Sequence, residues 1–182
     1  AGPRFSIFRT DGCGDALEVT YFRAANFHGL AALPTVPNGY VPVFGGLPAG
    51  TTYDNFGMSL GAAVQSFELN GRMTVLPAIQ LLGGFRWVQW QESLFLSGFT
   101  AEGQDTSTTS CMNDLYGYQI GFDSLLLKTN WMRLEGLMKG GAYYNNAGQV
   151  TITNSPTLGP DQVSSNAPKA AAFVGEIGLT GV

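Results

Sequence analysis

One histidine, His28, serves a chain of 182 residues, so chemistry that depends on imidazole has a single place to occur. No Gly-x-Ser-x-Gly elbow accompanies it, and no motif sets a serine or carboxylate beside it. A hydrolase that pairs His28 with a loop serine has nothing to position the pair, and the chain reads as no enzyme. Its two cysteines, Cys13 and Cys111, lack the spacing of a zinc site. Asp105, Asp114 and Asp161 are scattered carboxylates, better explained by solvation than by calcium. No cofactor is expected.

What remains is a set of charged and polar residues at strand spacing: Glu18, Arg86, Gln119, Asp123, Arg133, Glu135, Lys139 and Glu176. Each lies opposite apolar side chains in a period-two pattern, which places the two kinds on opposite faces of a strand. From Leu115 to Leu127, Tyr116, Tyr118, Ile120, Phe122 and Leu126 alternate with Gly117, Gln119, Gly121 and Asp123. Met132, Leu134, Met138, Ala142 and Tyr144 alternate with Arg133, Glu135 and Lys139. Leu17, Val19 and Tyr21 stand against Glu18 and Thr20, as Phe173, Ile177 and Leu179 stand against Glu176 and Thr180. Two chemistries are open to the charged set: salt bridges that fill a narrow interior, or the lining of a water-filled pore.

The elements that would position these residues are strands near 4–10, 14–23, 54–69, 73–90, 113–127, 131–145 and 170–182. Short turns at Asp11–Gly12–Cys13, Asn70–Gly71–Arg72 and Lys128–Thr129–Asn130 alternate with long connections at 24–53, 91–112 and 146–169. Short turns at one end and long loops at the other are the signature of an antiparallel up-and-down transmembrane β-barrel. In that layout Tyr21, Phe22, Phe56, Trp87, Trp90, Tyr116, Tyr118, Tyr143, Tyr144 and Phe173 fall toward the long-loop rim. Phe5, Phe67 and Trp131 fall toward the other, as aromatic girdles require. The residues expected to face lipid or form the girdle are Tyr21, Trp87, Tyr116, Tyr118, Ile120, Phe122, Trp131, Leu134, Met138, Tyr144, Phe173, Ile177 and Leu179. The alternative is a soluble secreted or periplasmic β-sandwich binding module with its apolar faces packed together. Outward exposure of Tyr118, Ile120, Phe122, Leu134, Met138, Ile177 and Leu179 separates the two.

Composition agrees with strands that do not face water alone. The chain is 45% hydrophobic and 12% charged, where a soluble domain has about a quarter charged residues. The uncharged stretch 73–85 contains Pro77 and paired glycines, which argues against a membrane-spanning helix. A net charge of −4 without a basic cluster leaves no footprint for nucleic acid. No segment has the pattern of a secretory signal. Pro77 predicts a bulge or strand end, and the apolar phase slip across Val64–Leu69 predicts a bulge or the approach of the Asn70–Gly71 turn. Glycines inside strands relieve crowding in a curved barrel or mark bulges. Cys13 and Cys111 are expected at opposite rims as unpaired thiols, since a disulfide needs Cα atoms within about 7 Å. The loop 24–53, with Pro34, Pro37, Pro42 and Pro48, and the Ser/Thr/Asn-rich loop 146–169 are either mobile surface or a cover over the mouth.

The run Leu82-Gly83-Gly84-Phe85-Arg86-Trp87 followed by Gln91-Glu92-Ser93-Leu94 resembles a strand of the β-barrel porin family of planctomycete bacteria. Asn113 to Gly121, Lys139 to Asn145 and Phe173 to Leu179 resemble successive strands of that family. The similarity covers residue 76 to the end and, more loosely, the first strands. It implies a bacterial outer-membrane barrel with membrane lipid as partner, small solutes if a pore is open, and no catalytic residues. Solute and oligomeric state do not follow from it. Bacterial barrels have an even strand number, whereas about seven strands leave an open edge and Val182 stops on an unfinished strand. The expectation is an incomplete single barrel domain, 1–182, truncated at the C-terminus and, as a second expectation, at the N-terminus.

Overall fold

The computed structural model describes residues 2–11, 14–33, 47–48, 51–156 and 158–181, and all the regular elements among them are β-strands. They are β1 (Arg4–Thr10), β2 (Ala16–Leu33), β3 (Asn55–Leu76), β4 (Ile79–Thr100), β5 (Gly103–Lys128), β6 (Arg133–Ser155), β7 (Gly159–Asn166) and β8 (Lys169–Gly181). Each pairs antiparallel with its neighbour in the order β1 to β6, and β7 and β8 both pair with the far edge of β6. Asn166 faces Gln149 and Lys169 faces Asn146, so β7 and β8 lie end to end in one register. Pro168 interrupts them because it has no N–H to donate, although its carbonyl still accepts from Ala147 at 3.1 Å. The sheet therefore has seven columns of backbone.

Five strands, β2 to β6, run well past their expected ends. Asn70–Gly71–Arg72 is not a turn but lies inside β3, and the chain reverses at Pro77–Ala78, where a fixed φ suits a turn. The expected loop 91–112 is ladder: β4 and β5 continue to a tight turn at Ala101–Glu102, closed by Gly103 at φ 144°. The expected loop 146–169 is the end of β6, the hairpin to β7 and the start of β8. In β5 Ser and Thr occupy both faces from Thr106 to Ser110, and in β4 Leu94, Phe95 and Leu96 put apolar residues on both, so the backbone ladder persists where the hydrophobic alternation fades. Residues 24–33 belong to β2, while Pro34, Pro37, Pro42 and Cys13 lie outside the described residues.

The β3–β4 ladder runs unbroken through Val64–Leu69, so the expected bulge is absent there. The irregularity is on β2, where Ala25 and Asn26 stand opposite Ala63. The phase slip has another cause. On the face that carries Glu68 and Asn70, the same ladder parity continues to Phe56, Met58 and Leu60, and it is this face that turns apolar toward the far end.

The sheet is rolled but not closed. Between β1 and β8 lie six strand intervals, which in a flat sheet would hold the edges about 29 Å apart at ~4.8 Å each. Yet Arg4 Nη1 reaches the Glu176 carboxylate at 3.8 Å, so side chains of the two edges meet across the concave face. β1 and β8 run in the same sense, because six successive antiparallel steps separate them, and no ladder joins them.

Candidate functional site

Curvature converts the polar face of every strand into a shared interior. Arg72 on β3 bridges Glu18 on β2, at 2.8 Å, to Asp123 on β5, at 3.1 Å. Glu68 receives Lys139 Nζ at 2.9 Å, Arg86 Nε at 3.4 Å, Gln119 Nε2 at 2.9 Å and Asn70 Nδ2 at 3.2 Å. Glu176 on β8 takes Arg86 at 3.0 Å and Lys139 at 3.2 Å. Gln119 also donates to Asn70 Oδ1 at 2.8 Å and accepts from the Tyr143 hydroxyl at 3.4 Å. Four carboxylates, Glu18, Glu68, Asp123 and Glu176, thus meet the cations Arg72, Arg86 and Lys139, with Arg4 at the edge as a fourth. Charges removed from water are tolerated only when paired and hydrogen-bonded, and here each buried one is.

Small residues make the space. A β-carbon at Gly117 would come within 2.7 Å of the Tyr143 ring, and one at Gly141 within 2.8 Å of its hydroxyl. The two glycines therefore let Tyr143 lie flat across the interior.

Of the eight charged or polar residues expected to share this face, Glu18, Arg86, Gln119, Asp123, Lys139 and Glu176 join the network. Arg133 and Glu135 do not: they pair with each other beside the β5–β6 turn, and Arg133 is half exposed. The extra residue Leu126 bulges β5 there, and the ladder resumes out of step at Leu127–Leu134 and Lys128–Arg133. Sequence reasoning missed Glu68, Asn70, Arg72 and Tyr143. The first three share even parity with Ser66, a signal obscured by reading Asn70–Gly71–Arg72 as a turn.

The outer face is banded. Phe5, Tyr21, Phe67, Trp87, Tyr116 and Tyr144 are directly opposed from strand to strand, forming one aromatic row. Toward the short turns follow Val19, Leu69, Phe85, Tyr118, Ala142 and Phe173, with Phe85 and Tyr118 in edge-to-face contact at 6.1 Å. Ile120 stands next among glycines, and then come Met73, Leu81, Phe122, Met138 and Ile177. Leu179 lies beyond these. Exposure is high: Tyr118 77%, Ile120 75%, Phe173 83%, Ile177 79% and Leu179 71%. Toward the long extensions the next row is polar throughout: Arg23, Gln65, Gln89, Asp114, Asn146 and Lys169. Gln65 donates to Gln89 at 2.7 Å and Gln89 to Asp114 at 2.9 Å.

Several aromatic assignments change. Phe5 and Phe67, both expected at the opposite rim, stand in the aromatic row, because Phe5 pairs with Tyr21 at the start of β1 and β3 continues well past residue 70. Phe22, Phe56, Trp90 and Tyr143 share the concave parity instead. Trp131 is exposed in the turn after β5, and Leu134 is only half-buried opposite Leu127.

At the far end of the concave face, Tyr53 is fully buried against Leu47 and Leu96, with Phe56 and Leu94 beside them. A β-carbon at Gly98 would strike the Tyr53 ring. The Tyr53 hydroxyl donates to Asp105 Oδ2 at 2.8 Å, and burial, then the Asp105 carboxylate, pushes its pKa well above the usual phenol value. Among the described residues between β2 and β3, Leu47 and Tyr53 pack onto this end of the concave face.

His28, expected in a loop, lies on β2. It lines an outer groove with Ser93 and Glu92, but no hydrogen bond joins it to either among the described residues. No group of three or more His, Cys, Asp or Glu able to hold a metal occurs among the described residues. Among the described residues Cys111 forms no disulfide. No family model, curated protein or solved structure matches the chain.

Proposed function

We propose that the chain is a bacterial outer-membrane β-barrel that acts passively, as a structural surface protein with a filled interior rather than a wide diffusion channel. One observation carries this reading: the inverted partition of its side chains. Paired charges occupy the concave interior, while large apolar side chains cover the outside in consecutive rows. In water, each exposed apolar side chain forfeits about 25 cal/mol per Å² of possible burial; against lipid that cost vanishes.

From Tyr116 in the aromatic row to Leu126 near the short turns, β5 has eleven residues, and a tilted strand needs about 9–11 to cross the hydrocarbon core. The aromatic row then lies where headgroups begin. Strands β4, β5 and β6 continue past the polar row as ladder, which would project beyond the membrane. β1 and β8 run in the same sense after seven columns, so one antiparallel strand between them would close an eight-stranded barrel, and eight-stranded barrels are filled by side chains. The resemblance to planctomycete porins points the same way on fold and location, while the filled interior argues against a wide channel.

Cell fractionation with semi-native electrophoresis tests this. Detergent-dependent solubility with a heat-shifted band is expected, and planar bilayers should show little conductance. A detergent-free soluble monomer would sink the proposal and restore the β-sandwich; large steady conductance would restore the channel.

A further inference from the structure

The outer groove lies just beyond the polar row and encloses about 610 Å³. Its floor is made by small residues, Gly61, Ala63 and Gly148, which leave a depression between taller neighbours. Arg23 and His28 border it on β2, on either side of the Ala25–Asn26 irregularity. Arg4, Arg72, Arg86, Arg133 and Lys139 all have carboxylate partners. Arg23, by contrast, is exposed and has no ion pair among the described residues. The nearest carboxylate on this face in the polar row, Asp114, is held by Gln89. Glu92 also borders the groove, but by ladder parity its side chain belongs to the concave face with Ala62.

We propose that this groove seats the phosphate-bearing headgroup of an anionic lipid of the outer leaflet, an inference that rests on the membrane reading above. An unpaired guanidinium matches a phosphate through paired N–H donors. Gln91, Ser93 and Ser110 supply further donors, and Met112 and Val150 supply apolar wall. Arg23 itself stands in the polar row, one row from Tyr21 of the aromatic row, so the guanidinium is at the depth where headgroups stand in a bilayer, with the rest of the groove running outward from it.

The test uses the full chain in phosphatidylcholine vesicles with and without phosphatidylglycerol, followed by gentle extraction and native mass spectrometry. The wild type should retain phosphatidylglycerol over phosphatidylcholine by about tenfold, as expected for one charge-assisted contact. Arg23→Gln combined with His28→Gln should abolish the preference, while Lys169→Gln, outside the groove, should keep it. Equal retention of both lipids, an unchanged preference in the double variant, or full displacement by inorganic phosphate would overturn the seat. Heat-modifiable migration of the same sample separates the two failures: insertion without lipid preference removes only the headgroup seat, and failure to insert removes the membrane reading itself.

Discussion

Ile120→Arg is the substitution that most sharply separates lipid from water as the solvent of the outer face. Ile120 is 75% exposed, and its cross-strand neighbours are Gly83 and Gly140, so no side chain beside it could shield a new charge. The polar row begins at Asp114, six residues away, or roughly 20 Å along a strand, beyond the reach of an arginine stem. At mid-bilayer such a charge costs about 2–4 kcal/mol, which at 1.4 kcal/mol per decade lowers the folding constant roughly 30- to 700-fold. On a surface facing water the same change would stay within about 0.5 kcal/mol. The assay is reversible denaturant unfolding in lipid vesicles, followed by the fluorescence of Trp87, Trp90 and Trp131. Thr108→Arg serves as the control, because Thr108 is exposed on the same face but beyond the polar row. A loss below 0.5 kcal/mol at Ile120, or an equal loss at Thr108, would refute the reasoning.

Four further outcomes follow from the interior and the mouth. Glu68→Ala leaves buried Lys139 with Glu176 as its carboxylate partner and should cost about 3 kcal/mol, whereas Glu68→Met with Lys139→Met should cost less than the summed single changes; unfolding in vesicles measures both. Asp123→Ala should lower the temperature of the heat-modifiable transition without altering ion selectivity in planar bilayers, and a selectivity change would mean that water reaches the interior. Tyr53, with its pKa raised, should stay protonated above the ordinary phenol value of about 10. Its stabilising contribution is therefore complete below that value and is lost as pH rises toward the folded pKa; the absorbance at 295 nm of wild type minus Tyr53→Phe should show no step near pH 10. Gly98→Ala should cost about 1–3 kcal/mol by crowding Tyr53, and the loss should largely disappear in a Tyr53→Ala background.

Strand identity was legible wherever one face was apolar and the other charged. The stretch from Leu115 to Asp123 shows this: its alternation predicted both faces, because period two is a property of the extended backbone itself. Six members of the ionic network were found by the same parity. Glu68, Asn70 and Arg72 were lost to a local signal, Asn-Gly, that favours turns but yields when the flanking side chains gain interior partners. The extensions of β4 and β5 were missed because apolar residues on both faces at Leu94–Phe95–Leu96, and Ser and Thr on both faces from Thr106 to Ser110, leave no alternation to detect.

By itself the sequence determined an antiparallel all-β chain with greasy and charged strand faces, since both follow from residue order over a few positions. Only the tertiary structure decided where strands end, how the register aligns Tyr21, Phe67, Trp87, Tyr116 and Tyr144 into one row, and how curvature brings Arg86 to Glu176. Those features depend on pairing and rolling among residues far apart in the chain, and no local spacing encodes them.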